Sequence, residues 1–192
     1  MTEPIPDWYD DLEGFERAAW RSMARGVKDR RSGFHTLTVA SVTTSGLPNA
    51  RTVVLRGCDP DARTLRFHTD ARSAKVGELR ANANVCALLY DRQSKLQVRV
   101  TGRCTLSDAQ SAQGSKAWSA TRSFSRECYR VSPTPGSRIE AGGAYGPADA
   151  SDGHEAFIAA EIVVGSVEVL YLAAAGHRRA LFTPGRREWL VP

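Results

Sequence analysis

Lysine is scarce in this chain. It stands only at positions 28, 75, 95 and 116, so 22 of the 26 basic residues are arginine. Against 21 acidic residues the formal net charge is +5. No dense basic run occurs and no basic helix carries interleaved aromatics, so no nucleic-acid partner is expected. The four cysteines, Cys58, Cys86, Cys104 and Cys128, lie far apart without a C-x-x-C pair, and His35, His68, His154 and His177 lack zinc-type spacing. A bound metal is therefore not expected, and the cysteines read as small apolar side chains rather than disulfides or nucleophiles. No apolar run approaches a membrane span, and Met1-Thr-Glu-Pro-Ile-Pro-Asp7 has neither the basic nor the apolar region of a signal peptide. A soluble, cytoplasmic protein with no membrane partner is expected. No G-x-G-x-x-G opens a helix, which argues against a doubly wound nucleotide fold.

What is present fits one globular domain over residues 1–192, with 42% hydrophobic and 24% charged residues. Leu12, Phe15, Ala19, Met23 and Val27 recur at helical spacing and predict a helix over about 8–27. Strands are expected at His35–Val42, Arg51–Arg56 and Arg63–His68, a helix at Ser73–Arg80, and strands at Val85–Tyr90 and Leu96–Leu106. The apolar run Val85–Tyr90 reads as buried on both faces, whereas Leu96, Val98 and Val100 alternate with Gln97, Arg99 and Thr101. Ser107-Asp108 reads as the cap of a second helix reaching Ser119. From about 121 to 153 the chain loses periodicity, as a lid over a pocket would. Strands return at Phe157–Val164 and Val167–Leu172, with a hairpin from Arg179 to Val191. Strands following strands, with few helices between, predict a mainly β fold, an antiparallel barrel with α insertions.

Chemistry concentrates between Arg51 and Lys75. The strand Arg51-Thr52-Val53-Val54-Leu55-Arg56 is followed by Phe67-His68-Thr69, and then by Ser73-Ala74-Lys75 opening a helix. Free N–H groups at a helix start, a Ser, a Lys and the planar fork of Arg together suit a phosphate. Arg51 and Arg56 have opposite parity, so both reach one phosphate only if a bulge intervenes or the strand ends. Either could instead flank a barrel rim in solvent. Gln97, mid-strand among apolar neighbours, suits a heterocycle edge or an exposed strand face equally.

In this order the segments, with Gln97-Val-Arg-Val-Thr-Gly102, resemble the pyridoxamine 5'-phosphate oxidase group, and within it the oxidase-related FMN-binding subgroup. The resemblance covers about 20–106 well and the C-terminal strands loosely. It implies an FMN-binding split β-barrel that works as a homodimer with flavin at the interface. By position, Arg51 and Lys75 would contact the FMN phosphate with Ser73 in support. Thr52, Val53 and Val54 would pass the flavin ring, His68 and Thr69 would lie beside the cofactor, and Gln97 would face the ring edge. Arg56 stands where the family has a lysine near flavin and substrate.

The substrate signature departs from the family. Trp118 falls at a family Tyr, Arg122 keeps an Arg, Arg126 stands in register with a Ser, and Pro135 falls near a flavin-contacting Gln. Leu170-Tyr171 and His177-Arg178-Arg179 replace a Trp and an Arg-x-His. The resemblance thus implies an FMN-dependent oxidoreductase acting on a small, anionic substrate, other than a true pyridoxamine phosphate oxidase. Its substrate contacts would come from Arg56, Trp118, Arg122 and Arg179. Two alternatives share the features: a non-catalytic FMN carrier or sensor, and a barrel binding deazaflavin or haem.

Overall fold

The computed structural model describes residues 5–148 and 151–192. Helix α1 (Leu12–Lys28) starts later than the expected residue 8, because the Asp11 side chain accepts a hydrogen bond from the Glu13 N–H and caps it there. Its buried face carries Phe15, Ala19 and Met23 as the spacing predicts, together with Ala18 and Trp20. Phe15 stacks on Trp8 and on Trp189, with ring centroids 5.3 and 5.7 Å away, tying both ends of the described chain to one core.

The strands are β1 (Thr36–Val42), β2 (Pro48–Asp59), β3 (Thr64–Asp70), β4 (Asn84–Asp91) and β5 (Leu96–Asp108). Helix α2 (Ala74–Ala81) lies between β3 and β4, and α3 (Ala112–Ser119) and α4 (Ser123–Arg126) follow β5. A two-residue ladder joins β6 (Val131–Ser132) to β7 (Gly146–Pro147), inside the stretch expected to be irregular. The chain ends with β8 (Phe157–Tyr171), β9 (Arg178–Thr183) and β10 (Arg186–Leu190).

The main sheet is antiparallel, in the order β10-β9-β8-β3-β2-β1-β4-β5, and β5 pairs back onto β8. Strands β8, β3, β2, β1, β4 and β5 therefore close into a barrel, and β9 and β10 extend it beyond β8. Closure removes the exposed edges that an open sheet would present. Where β5 meets β8 the register shifts between Thr101 and Gly102, and a Cβ on Gly102 would lie 2.1 Å from the Val163 carbonyl oxygen. Only glycine fits at that seam.

Alternation fills the barrel. Leu37, Val39, Leu55, Leu65, Phe67, Leu89, Val98, Val100 and Ile162 are fully buried or nearly so. Burying each of these side chains is worth about 1.5–3 kcal/mol. Three sequence expectations are corrected. Strand β4 buries Val85, Ala87 and Leu89 but exposes Leu88 and Tyr90, so it is covered on one face and not on both. Strand β5 runs through Ser107 and Asp108, and α3 is capped by Ser111, whose hydroxyl accepts from the Gly114 N–H. The two strands expected at 157–172 are one, because Val164 and Ser166 both stay paired to β5 across a local register shift. No helix among the described residues is long and apolar enough to cross a membrane.

Candidate functional site

Strand β2 carries two arginines and sends them to opposite sides of the barrel wall. Arg51 points inward with Asn49 and Val53, toward α2. Its Nη2 donates to Glu78 Oε2 at 2.7 Å, and its Nη1 donates to Ser41 Oγ at 2.6 Å and to the Val39 carbonyl at 3.2 Å. Glu78 also accepts from Ser41 Oγ at 2.6 Å and from Asn49 Nδ2 at 2.8 Å. Burial alone would push the Glu78 carboxyl up. The hydrogen bonds from Ser41, Asn49 and Arg51, with the Arg51 charge, hold it below its ordinary value. The guanidinium is thus fixed from three sides.

Beside it lies the start of α2. Lys75 Nζ donates to Thr69 Oγ1 at 3.1 Å and to Ser73 Oγ at 3.2 Å, and the two hydroxyls are 3.3 Å apart. Ser73 occupies the N-cap position, yet its hydroxyl donates back to the Asp70 carbonyl at 2.7 Å and caps no helix N–H. Burial, and then repulsion from Arg51, lower the Lys75 ammonium from its ordinary value. Two cations, two hydroxyls and a helix start therefore lie together, while the nearby carboxylates are already engaged, Glu78 by Arg51 and Asp70 by Arg72. A phosphate monoester would supply the missing negative charge and accept from each donor. The residues present fit the phosphate of FMN.

Arg56 goes the other way. Leu55 pairs with Phe67 but Gly57 pairs with Arg66, so Arg56 is the extra residue of a β-bulge. Its parity, opposite to that of Arg51 and Leu55, puts it on the outer face, where Arg66 and His68 stand on β3, and the bulge places Gly57 opposite Arg66 on that same face. These side chains line a cavity of about 300 Å³ with Lys28, Arg30, His35, Thr121 and Arg122. His68 packs edge-on against Phe157, with Nδ1 3.4 Å from Thr121 Oγ1 and a buried Nε2 that has no partner. Burial, then repulsion from Arg56 and Arg66, push His68 down to about 4, so its ring is neutral near pH 7. Thr121 Oγ1 already donates to the Ala117 carbonyl at 2.8 Å. The Nδ1–H of His68 then donates to Thr121, which leaves Nε2 a buried acceptor without a partner.

Other candidate residues fall elsewhere. Trp118 is buried in a satellite cluster with Tyr129 and Phe157, and the Arg126 guanidinium lies over its ring at 4.7 Å. It does not line the cavity that holds Arg56 and Arg122. Arg179 is pinned to Glu168, Nη2 to Oε1 at 2.8 Å, on the β9 side of the molecule. Gln97 pairs across β4 with Tyr90 on the outer face of the barrel, and Thr52 and Val54 share the parity of Arg56. Cys58 and Cys104 thiols are pushed up to about 12, by burial first, and stay protonated.

Glu78, Lys28, Arg30 and Arg66 are the site-forming residues that the sequence did not single out. Arg66 had a legible signal, since it shares strand parity with His68. Glu78 is three residues beyond Lys75 on α2, so it follows the phosphate motif at helical spacing. Nothing in the sequence places Lys28 or Arg30 beside β3.

A family described as the FMN-binding domain of pyridoxamine 5'-phosphate oxidase matches residues 17–108. Pyridoxine/pyridoxamine 5'-phosphate oxidase 2 of Arabidopsis thaliana is 32% identical over 133 residues, covering 65% of this chain and 67% of that protein. The corresponding oxidase of Novosphingobium aromaticivorans is 34% identical over 100 residues, covering 52% of this chain but only 46% of its own length. This chain spans about a third to a half of the length of the bacterial oxidases it matches.

Among solved structures, an oxidase-related, FMN-binding protein from Nostoc punctiforme superposes with TM-score 0.71 at 23% identity, over 99% of this chain and all of that one. PhzG from Burkholderia lata, solved with tetrahydrophenazine-1-carboxylic acid, gives TM-score 0.74 at 16% identity, over 100% and 99%. At such identities these likenesses carry the fold alone, an FMN-binding split barrel. The barrel, the phosphate-type cluster and the oxidase matches together define a class of flavin-binding proteins. The chain belongs to the pyridoxamine 5'-phosphate oxidase family of FMN-binding domains, whose cofactor is FMN.

Proposed function

We propose that this chain is an FMN-dependent oxidoreductase that acts on a small anionic substrate other than pyridoxamine phosphate. The observation that carries the reading is the division of labour along β2. Arg51 belongs to a phosphate-type cluster on one side, and Arg56 enters a cation-lined cavity on the other.

Arg51 and Lys75, with Ser73 and Thr69, hold the cofactor phosphate through charge and hydrogen bonds. Thr52, Val53 and Val54 pass the ring, His68 borders it, and Gln97 offers an amide to its heteroatom edge. When bound, FMN supplies the two-electron chemistry, taking reducing equivalents from a donor and passing them to an acceptor. Arg56 and Arg122 orient the anionic end of the substrate, and Thr121 and Arg122 form one wall beside it.

A second copy of the chain completes the site. Val42, Leu88 and Tyr90 are exposed on one outer face of β1 and β4, beside an apolar groove lined by Ala40, Val85 and Cys86. An apolar face of that kind on a barrel wall suits a twofold interface. Trp118 and Arg179 lie outside the cavity within one chain, and Arg179 reaches a substrate only if a partner presents it.

The test is the visible absorption spectrum of the purified protein after adding FMN and desalting. Flavin bands near one equivalent, lost in the Arg51→Ala, Lys75→Ala double variant, support the reading. Donor-dependent bleaching of those bands separates the enzyme from a carrier. A protein that releases all added FMN overturns it.

A further inference from the structure

His35 closes the 3₁₀ turn Gly33–His35 that leads into β1. Its N–H donates to the Ser32 carbonyl at 2.9 Å, and its Nδ1 lies 2.8 Å from the Gly26 carbonyl. Gly26 sits in the last turn of α1, where carbonyls have no partner further along the helix. A carbonyl only accepts, so Nδ1 carries the proton and the neutral ring keeps its lone pair on Nε2. The turn reaches the helix because Gly26 lacks a side chain: a Cβ there would lie 2.4 Å from the Phe34 carbonyl oxygen. The His35 Nε2 makes no hydrogen bond with a described residue. The residue is only half-buried, so this nitrogen is open where the Nε2 of His68 is sealed.

His35 lines the cavity of about 300 Å³ that holds Arg56. Like Arg30, Thr121 and Arg122, it lines that cavity alone. Lys28, Arg56 and Arg66 also face an adjoining space where Asp59 and Glu161 stand. No described carboxylate lines the cavity of His35 itself. The side chains of Lys28, Arg30, Arg56, Arg66 and Arg122 donate and offer no lone pair. The Thr121 hydroxyl is taken up by the Ala117 carbonyl and by His68. Val27, Ala117 and Ala120 contribute only apolar side chains. Among the described residues, His35 Nε2 is therefore the one open side-chain acceptor that this cavity presents.

We propose that His35 selects a substrate bearing a hydroxyl beside its anionic group, with Arg56 and Arg122 on the anion and Nε2 accepting from the hydroxyl. This rests on the oxidoreductase reading and narrows its substrate class. A protonated amine would also donate to Nε2, but the surrounding cations repel it, so the favoured donor is neutral. If His35 served only to satisfy the end of α1, His35→Asn would change nothing, because the Asn Nδ2–H replaces Nδ1–H at the Gly26 carbonyl.

The experiment is calorimetric titration of the FMN-loaded protein at low salt and about pH 8, above the ordinary histidine range. Three probes share a three-carbon chain. Propyl phosphate carries the anion alone, glycerol 3-phosphate adds hydroxyls, and 3-aminopropyl phosphate adds an ammonium. Glycerol 3-phosphate is expected to bind about three- to ten-fold tighter than propyl phosphate, the worth of one neutral hydrogen bond, and the ammonium probe more weakly than either. His35→Asn is expected to bring glycerol 3-phosphate to within about two-fold of propyl phosphate, whose own affinity stays in place. In the unaltered protein, the His35 Nε2 resonance is expected to move with glycerol 3-phosphate and not with propyl phosphate, which keeps the test open if the variant fails to fold. Three results overturn the proposal: equal affinities in the unaltered protein, a variant that keeps the preference or weakens both probes alike, or an ammonium probe that binds as tightly as the hydroxyl one. If neither phosphate probe binds while flavin absorbance is retained, the proposal falls and the flavin reading stands. If flavin is not retained but the hydroxyl preference and its loss in the variant persist, the oxidoreductase reading falls and the assignment of His35 is supported.

Discussion

Arg51 on β2 and Glu78 on α2 form an ion pair of 2.7 Å whose side chains are 18% and 6% exposed. It couples the strand that carries Arg51 to the helix whose first turn carries Lys75, the two residues proposed to hold the cofactor phosphate. Removing one partner strands the other charge in a place water hardly reaches. Glu78→Ala is expected to destabilise the protein by ~3 kcal/mol, the usual cost of breaking a buried pair from one side. For a chain of this size that is a fall of about 6–12 °C in melting temperature. A scanning calorimeter reads it, and an unchanged midpoint would sink the claim.

The same pair sets a dependence on pH. The Glu78 carboxyl is lowered in the folded protein relative to its ordinary value of 4.5. Its stabilisation is therefore fully present above about pH 4.5 and is lost as pH falls through the folded-state value, where the unfolded chain binds the extra proton first. Urea melts of the unaltered protein and Glu78→Gln are expected to differ at pH 7 and to converge near pH 3. A gap that widens on acidification contradicts the assignment.

Lys75 tests the phosphate end of the cofactor site by itself. A charge-assisted hydrogen bond contributes about 1.5–3 kcal/mol, so Lys75→Ala is expected to weaken FMN by roughly ten-fold to a hundred-fold. Riboflavin has the ring without the phosphate, and its affinity is expected to stay unchanged. Quenching of flavin fluorescence measures both. Parallel losses for the two ligands would place Lys75 at the ring instead.

His68 offers a spectroscopic test of the cationic cavity. In phosphate-free buffer its imidazole is expected to titrate near 4, with the neutral ring protonated on Nδ1. An anion in the cavity offsets Arg56 and Arg66, so saturating inorganic phosphate is expected to raise that value. Two-dimensional imidazole nuclear magnetic resonance reads the tautomer and the pKa together. An unshifted ring, titrating near 6.5 in both buffers, contradicts the burial and the neighbouring charges.

Tyr90 and Leu88 test the proposed twofold contact. Leu88→Asp with Tyr90→Arg places charge on the exposed face of β4 while sparing the core residues Val85, Ala87 and Leu89. Light scattering is expected to report twice the 20.9 kDa chain mass before the change and a single chain after it. Flavin retention is expected to fall in parallel if a partner completes the site as proposed. A monomer that keeps its full flavin complement would remove the partner from the site.

Most strands were legible because their signals are local. Leu96, Val98 and Val100 alternate with Gln97, Arg99 and Thr101, and that alternation survives as the inner and outer faces of β5. The apolar run on β4 misled, since Leu88 and Tyr90 look like core by composition and lie on the outside by position. Composition cannot tell a buried face from one that awaits a second chain. The grouping of Ser73 and Lys75 near Arg51 was readable, and the fold does bring them together. Its anchor at Glu78 was not, because a lone helical glutamate is ordinarily solvated and only the approach of β1 and β2 buries this one.

The sequence by itself determined the periodic elements, the phosphate cluster and the opposite parity of Arg51 and Arg56. Side-chain direction repeats every two residues in a strand and every 3.6 in a helix, so nearest neighbours already encode it. The tertiary structure alone decided that β5 closes onto β8, that a bulge follows Leu55 on β2, and which arginines find carboxylates. Charge pairing depends on distance through space. Arg51 and Glu78 are 27 residues apart in the chain and 2.7 Å apart in the fold, whereas Arg66, with Glu161 opposite it on β8, makes no ion pair among the described residues.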